Sequence, residues 1–408
     1  MHLVLKKDST VITSMMFFIL MFGDFFHLVN SESILPDVFL LFYAIWCIWQ
    51  AIKLFNYKVE YAFLPFILML IVSIFIAVFQ AYYVNGQPFL LGLRPQRGYL
   101  ILLLSYFPIR KLFFVYDVDI ERLFKKIMFW ASLSTLLYFT CKYFYLTRGI
   151  EILYLGVHYT GTFSAYRMYI ESSLIDLAIL LSIFFYLKTF KFKYLIPAIL
   201  GMISQVWISQ GRLELLAILA GIIIGVLFTK KTPLKKIVIF FISILGFIVF
   251  LNSSVFESIW LTLTGQSEVN NTLEIRQVGK TYYIEQILES IDTFLFGVGY
   301  PNMLYVPAWE KTGFYDNIFL SDNGLISFAY MYGIFGVIAI LGLFLKFIKG
   351  SFLILRYTHD QIYLMFIVMI SVMSINIIFW YWHMDALLIL ILMLCGLEQT
   401  IYKVRKNG

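Results

Sequence analysis

The sequence predicts an all-α polytopic membrane protein of about twelve spanning helices. Composition is the first observation: 61% of the 408 residues are hydrophobic, only 13% are charged, and the mean hydropathy is +0.86. The second is the recurrence of runs of about 20 apolar residues, the length that carries a helix across a bilayer core. The third is the gathering of Lys and Arg in short clusters between those runs. A soluble domain is nearer half apolar and about a quarter charged, so lipid must solvate most of this surface. The 42 Phe and 28 Tyr supply lipid-facing flanks and interfacial belts.

Only a helix closes its backbone hydrogen bonds within one segment of lipid depth. Reading for such segments gives spans at 11–29, 34–52, 61–84, 98–115, 123–146, 170–187, 194–210, 212–228, 235–252, 322–346, 361–380 and 384–402. Pro108, Arg110 and Lys111 cut the fourth span short, and SQGRLE joins the seventh and eighth in a tight hairpin. The N-terminus, with Lys6 and Lys7 before an apolar run from Val11, resembles a signal sequence. Asp24 interrupts that run and no small-x-small cleavage site follows, so the expectation is an uncleaved first span. Cys47, Cys141 and Cys395 lie in apolar runs with no metal-ligand spacing and read as small core residues.

With the N-terminus taken as cytoplasmic, most of the 31 basic residues fall on the cytoplasmic side. The exceptions are Arg94, Arg97, Lys142, Arg148, Arg167, Arg212, Arg276, Lys280 and Lys311. This bias predicts both termini inside and an even number of spans. Because the basic residues are interleaved with spans rather than massed on one soluble domain, the net charge of +7 is a topology signal and gives no nucleic-acid surface.

The chain reads as one integral membrane domain, 1–408, with a medium external loop at 147–169 and a large one at 253–321. Within the large loop, 272–295 reads as an amphipathic helix, with Ile284, Ile287, Leu288, Ile291 and Leu295 at a 3.6-residue period. Asn271 and Glu274 resemble a capping box. Such a helix lies on the bilayer surface or packs across the bundle mouth. Arg276 and Lys280 share a face near its start, and FGVGYPN ends it with two glycines and a proline.

Arginines on the disfavoured side call for an explanation. Arg94 and Arg97 stand in LGLRPQRG, Arg167 in GTFSAYRMYIESS, Arg212 in SQGRLE and Arg276 in EIRQVGK. A guanidinium is always charged and its planar fork fits phosphate oxygens in pairs, so a converging set would suit a lipid-linked diphosphate. Each one alone also reads as a snorkelling residue or the partner of a nearby acid. Asp322 and Asn323, in SDNGLISFAYMYGIFG, stand where the large loop meets the tenth span. There a carboxylate can act as a base, and Ser321 or Asp322 can equally cap the helix. Gly333 and Gly336 permit close helix approach or a kink. Asp24, His27 and Asp176 are ionisable groups within spans, functional candidates with an interior hydrogen-bonded pair as the alternative. His158, His383 and Asp385 are further base candidates at the outer edge. HExxH, GxSxG and P-loop patterns are absent from the sequence, so hydrolytic and ATP-driven readings have no anchor.

The ordered series, an Arg in a tight hairpin (SQGRLELLAILAG), then Arg276, an amphipathic helix, LFGVGYPN and SDNGLISFAYMYGIFG, resembles the bacterial O-antigen polymerase and O-antigen ligase superfamily. GTFSAYRMYIESS is similar to that family's other external loop. Topology covers the whole chain, while the likeness in sequence is confined to roughly 160–175 and 204–340. The resemblance implies a GT-C-like membrane glycosyltransferase. It would move glycan from a polyprenyl-diphosphate carrier on the outer face of the bacterial plasma membrane, without metal or other cofactor. The expected product is O-antigen of lipopolysaccharide, or capsule. Carried over, Arg212 and Arg276 would hold the diphosphate leaving group and Asp322 would be the base. Arg94, Arg97, Arg167, His158, Glu214, Lys280 and Asn323 would line the substrate site. Asp322–Asn323 stand where ligases have a His-Asn pair, and the Asp favours the polymerase branch. A chain-length regulator and a flippase are the partners implied, beside the bilayer and the lipid-linked oligosaccharide. The competing readings are a ligase and a lipid-glycan flippase or transporter. The sequence lacks the six-plus-six symmetry that a transporter often carries.

Overall fold

A computed structural model describes residues 35–54, 62–153, 157–159, 166–168, 170, 172–209, 211–229, 271–316, 318–376 and 384–407. The expected spans 11–29 and 235–252, with Asp24, His27 and His383, lie outside the described residues.

The chain is a helical membrane protein. In order, the helices are α1 (Leu35–Leu54), α2 (Leu64–Asn85), α3 (Phe89–Leu104), α4 (Tyr106–Phe114) and α5 (Ile120–Arg148). After a short hairpin come α6 (Ser172–Thr189), α7 (Leu195–Ser204) and α8 (Arg212–Leu227). The third group is α9 (Asn271–Ile287), α10 (Ile291–Phe296), α11 (Val306–Glu310), α12 (Gly324–Thr358), α13 (Ile362–Asn376) and α14 (Met384–Asn407). Six stretches among the described residues are long and apolar enough to cross a membrane: Asp37–Leu54, Leu64–Asn85, Ser172–Thr189, Phe192–Ser209, Gly324–Thr358 and Ala386–Lys406. Leu213–Leu227 and Ile362–Ile375 are apolar but shorter.

Three local differences from the sequence reading have physical causes. The fourth span is not cut short: helix runs from Phe89 to Phe114 with a joint at Ser105. Arg110 is tolerated inside because it pairs with the buried carboxylate of Glu398, and Lys111 donates to Gln50 Oε1 at 2.8 Å. Arg94 and Arg97 therefore sit in the first turns of α3 rather than in a loop. The amphipathic helix expected over 272–295 is divided after Ile287, because Ser290 and Thr293 form a reciprocal capping box that starts α10. Lastly, the described part of the medium loop holds an antiparallel strand pair, β1 (Val157–Tyr159) with β2 (Tyr166–Met168).

The segment between α10 and α11 is threaded into the bundle. Its Val298 N–H donates to the Tyr330 carbonyl at 2.7 Å, and its Tyr300 N–H reaches the Ala77 carbonyl at 3.4 Å. Non-helical backbone at this depth is sustained only when protein satisfies it. Gly333 makes room: its φ of 64 and ψ of −174 break α12 where Leu295 and Phe296 cross. Gly299 does the same against α2, with φ +100 and a position where a Cβ would lie 2.7 Å from the Ala77 oxygen. The expected kink near Gly333 is thus a break in α12 that seats the loop.

Candidate functional site

The pair Asp322–Asn323 is fixed by a 3-10 turn, Leu320–Asp322, that leads into α12. Asn323 is the N-cap residue and makes no side-chain capping bond; its Nδ2 donates instead to the Phe319 carbonyl at 3.0 Å. Asp322 does not cap the helix either. Its Oδ1 accepts from Ser321 Oγ at 3.3 Å, and its Oδ2 lies 3.7 Å from Arg276 Nε. Two residues 46 positions apart, singled out separately for chemistry, are neighbours. Their side chains are 39% and 37% exposed. An ion pair that open contributes only about 0–1 kcal/mol to stability.

Helix α9 reaches this position by packing on α12. Gly279, one turn after Arg276, lets the backbone come so near Asn323 that a Cβ would stand 2.9 Å from its Nδ2. Tyr283 and Ile287 continue the buried face. Tyr283 Oη donates to the Thr312 carbonyl at 2.8 Å, while Tyr282 and Gln286 both donate to the Lys311 carbonyl, at 3.1 and 3.2 Å. Lys280 follows Arg276 on the same side and is half-buried. Of the apolar stripe expected at Ile284, Ile287, Leu288, Ile291 and Leu295, only Ile287 is buried, while Leu288 is 63% and Ile291 75% exposed. The exposed part faces away from the bundle, as in a helix lying in the interface of a bilayer.

Arg212 is the first residue of α8, after Gly211 as N-cap; its side chain lies outside what is described. The level of Arg212 in the bundle follows from packing. Gly221 and Gly225, in the second half of α8, both abut Met365, near the start of α13, and the two helices pack along their lengths. They therefore run antiparallel. Nine residues back from Gly221 is Arg212, and nine on from Met365 is Ser374, each about 13 Å along the axis. Gly324 meets the carbonyls at Ser374 and Ile375. The start of α8 is thus level with the start of α12, and Arg212, Arg276 and Asp322 belong to one end of the bundle.

The hairpin joins the same end. Its backbone register pairs His158 with Arg167, and β2 packs against the π-turn Gln205–Ser209 just before Arg212. The side chains of His158, Arg167 and Asp385 are not among those described. Glu214 is buried and accepts from Ser209 Oγ at 3.1 Å. Arg97 is committed to Asp37 on α1, and its Nη1 also donates to the Arg94 carbonyl at 2.6 Å. Arg94 is exposed on the same turn. A hollow of about 400 Å³ is lined by Gln277, Val278, Thr281, Tyr282 and Glu285. Arg276, Asp322 and Asn323 are not among its lining residues.

The sequence reading had no signal for Lys142 beyond its place among the basic exceptions. It is fully buried on α5, donates to the Trp207 carbonyl and sits 4.9 Å from the Trp207 ring centroid. Asp176, flagged as an ion within a span, accepts from Gln205 Nε2. No protein-family model matches the chain, and no curated protein matches it.

Proposed function

We propose that this chain is a polysaccharide polymerase of the O-antigen polymerase and ligase superfamily, joining oligosaccharide repeat units carried on polyprenyl diphosphate. The observation that carries the reading is the open Arg276–Asp322 pair, 3.7 Å apart, at the end of the bundle where Arg212 begins its helix. The arginines offer positive charge to a diphosphate leaving group, and the carboxylate offers a base to an acceptor hydroxyl.

In the proposed step, an acceptor sugar hydroxyl attacks the anomeric carbon of the donor. The new C–O bond forms as the bond from that carbon to the diphosphate oxygen breaks, and the bonding pair leaves on the diphosphate. Arg212 and Arg276 stabilise that developing charge. Asp322 accepts the hydroxyl proton, which general-base catalysis makes worth about 10²–10⁴-fold. The energy-rich diphosphate bond drives the transfer. On this reading the chain crosses the bacterial plasma membrane twelve times in a GT-C-like fold, with both termini cytoplasmic and the site external. The exposed Ile284, Leu288 and Ile291 rest in the outer leaflet, near a lipid-borne substrate.

The size ladder of lipid-linked glycan tests the proposal. Arg276→Ala in cells should leave the protein inserted and reduce the product to single repeat units. Normal long chains would overturn the diphosphate role. Long chains stranded on the lipid carrier would instead identify a ligase.

A further inference from the structure

The π-turn Gln205–Ser209 is gripped by ionisable side chains from three helices. Lys142 of α5 donates to the Trp207 backbone carbonyl, Asp176 of α6 accepts from the Gln205 side-chain Nε2, and Glu214 of α8 accepts from the Ser209 hydroxyl. All three are buried. The Glu214 carboxylate also folds back against Gly211, so that a Cβ there would stand 2.6 Å from its Cδ. The strand carrying Arg167 leans on the same turn.

A π-turn shifts carbonyls out of the ordinary helical ladder, and turns of this kind gather at functional sites. A neutral Ser or Asn could satisfy one displaced carbonyl. Burying a charged lysine there instead is costlier than burying a neutral donor. Three ionisable groups around five residues are more than local hydrogen bonding requires. What they hold in common is the approach to Arg212, three residues beyond the turn. We infer that Lys142, Asp176 and Glu214 are positioning residues, which act through the 205–209 turn to fix Arg212 at the start of α8. The role of Arg212 itself rests on the polymerase reading.

The test is a double-mutant cycle on the purified full-length chain in nanodiscs, with a lipid-linked repeat unit as substrate. Arg212→Ala should lower kcat at least a hundredfold. Lys142→Met should lower kcat at least tenfold, leave KM for the donor within about twofold, and add nothing in the double variant with Arg212→Ala. Lys142→Arg, which can still donate to the Trp207 carbonyl, should restore most of the rate. A wild-type kcat in Lys142→Met, or losses that multiply in the double variant, would overturn the positioning role while the polymerase reading stands. A normal rate in Arg212→Ala would overturn both. If Lys142→Met fails to insert, Ser209→Ala, which removes one hydroxyl from the Glu214 contact, carries the same cycle with the same criteria.

Discussion

Asn302 donates from Nδ2 to the Leu91 carbonyl at 2.6 Å, joining positions 211 apart. The Leu91 carbonyl is the one that Pro95, four residues on and without an N–H, cannot serve inside α3. Gln87 completes the joint: its Oε1 accepts from the Asn302 N–H at 2.8 Å and its Nε2 donates to the Tyr300 carbonyl at 2.9 Å. The gap left by one proline is thus the docking point of the loop that follows α10. Asn302→Ala should lower stability by about 1–3 kcal/mol, the penalty of stranding a partly buried acceptor. Pro95→Ala supplies a helical donor to Leu91, so the double variant should melt above Asn302→Ala. Thermal unfolding of the three variants in detergent checks this; an additive loss in the double would refute the repair.

Gly299 and Gly333 should be intolerant for a different reason. Each has positive φ and backbone of another helix where a Cβ would go. Gly299→Ala drives a methyl against Ala77 of α2 and strains a left-handed residue, a combined effect of about 2 kcal/mol or more. Melting temperature and polymer length should fall together in this variant. A normal melting temperature would show that the threaded loop is not anchored between α2 and α12.

The Arg276–Asp322 pair should behave in the opposite way. Because both side chains are more than a third exposed, Arg276→Ala and Asp322→Asn should shift stability by no more than about 1 kcal/mol. Activity should drop by about 10²–10³-fold for the arginine and about 10²–10⁴-fold for the carboxylate. Asp322→Asn separates base from cap cleanly, since Asn323 is the N-cap and neither side chain caps. Initial rates on a lipid-linked donor, with melting curves in parallel, decide it. Full activity in Asp322→Asn would remove Asp322 as the base.

How much of this was legible depends on which physical signal each feature carries. Apolar run length is a strong local signal, and the described spans fall close to the predicted ones, α2 at Leu64–Asn85 against 61–84 for example. Glycine punctuation was also legible, since Gly333 does interrupt its helix. Side-chain pairing across the bundle was not. A lone Arg110 reads as a cytoplasmic charge until Glu398, 288 positions later, is brought beside it by α14. Periodicity marked the apolar stripe of α9 without showing which face packs: Gly279, Tyr283 and Ile287 point inward, while Ile284 and Leu288 stay exposed. In a membrane protein the greasier face need not be the buried one. Of the candidate site, Arg276 and Asp322 were each recoverable from their motifs, and only packing revealed their contact.

Arg110 and Glu398 give the last prediction, at the opposite end of the bundle. Glu398 accepts from the Phe63 N–H at 3.0 Å and from Tyr106 Oη at 3.0 and 3.1 Å, besides pairing with Arg110. The carboxylate thereby ties the start of α2 to α4 and α14. Removing one member of a buried pair strands the other charge, at a cost of about 3–5 kcal/mol, whereas replacing both by apolar groups is often neutral or better. Glu398→Met should therefore be severely destabilising, and Arg110→Met/Glu398→Met should recover much of the loss. Recovery should be incomplete, because the Phe63 N–H and the Tyr106 hydroxyl keep no acceptor there. Activity per folded molecule should match wild type in the double variant, since the pair is remote from Arg276. A double variant as unstable as Glu398→Met would show that the carboxylate's bonds to Phe63 and Tyr106, rather than the ion pair, hold this end together.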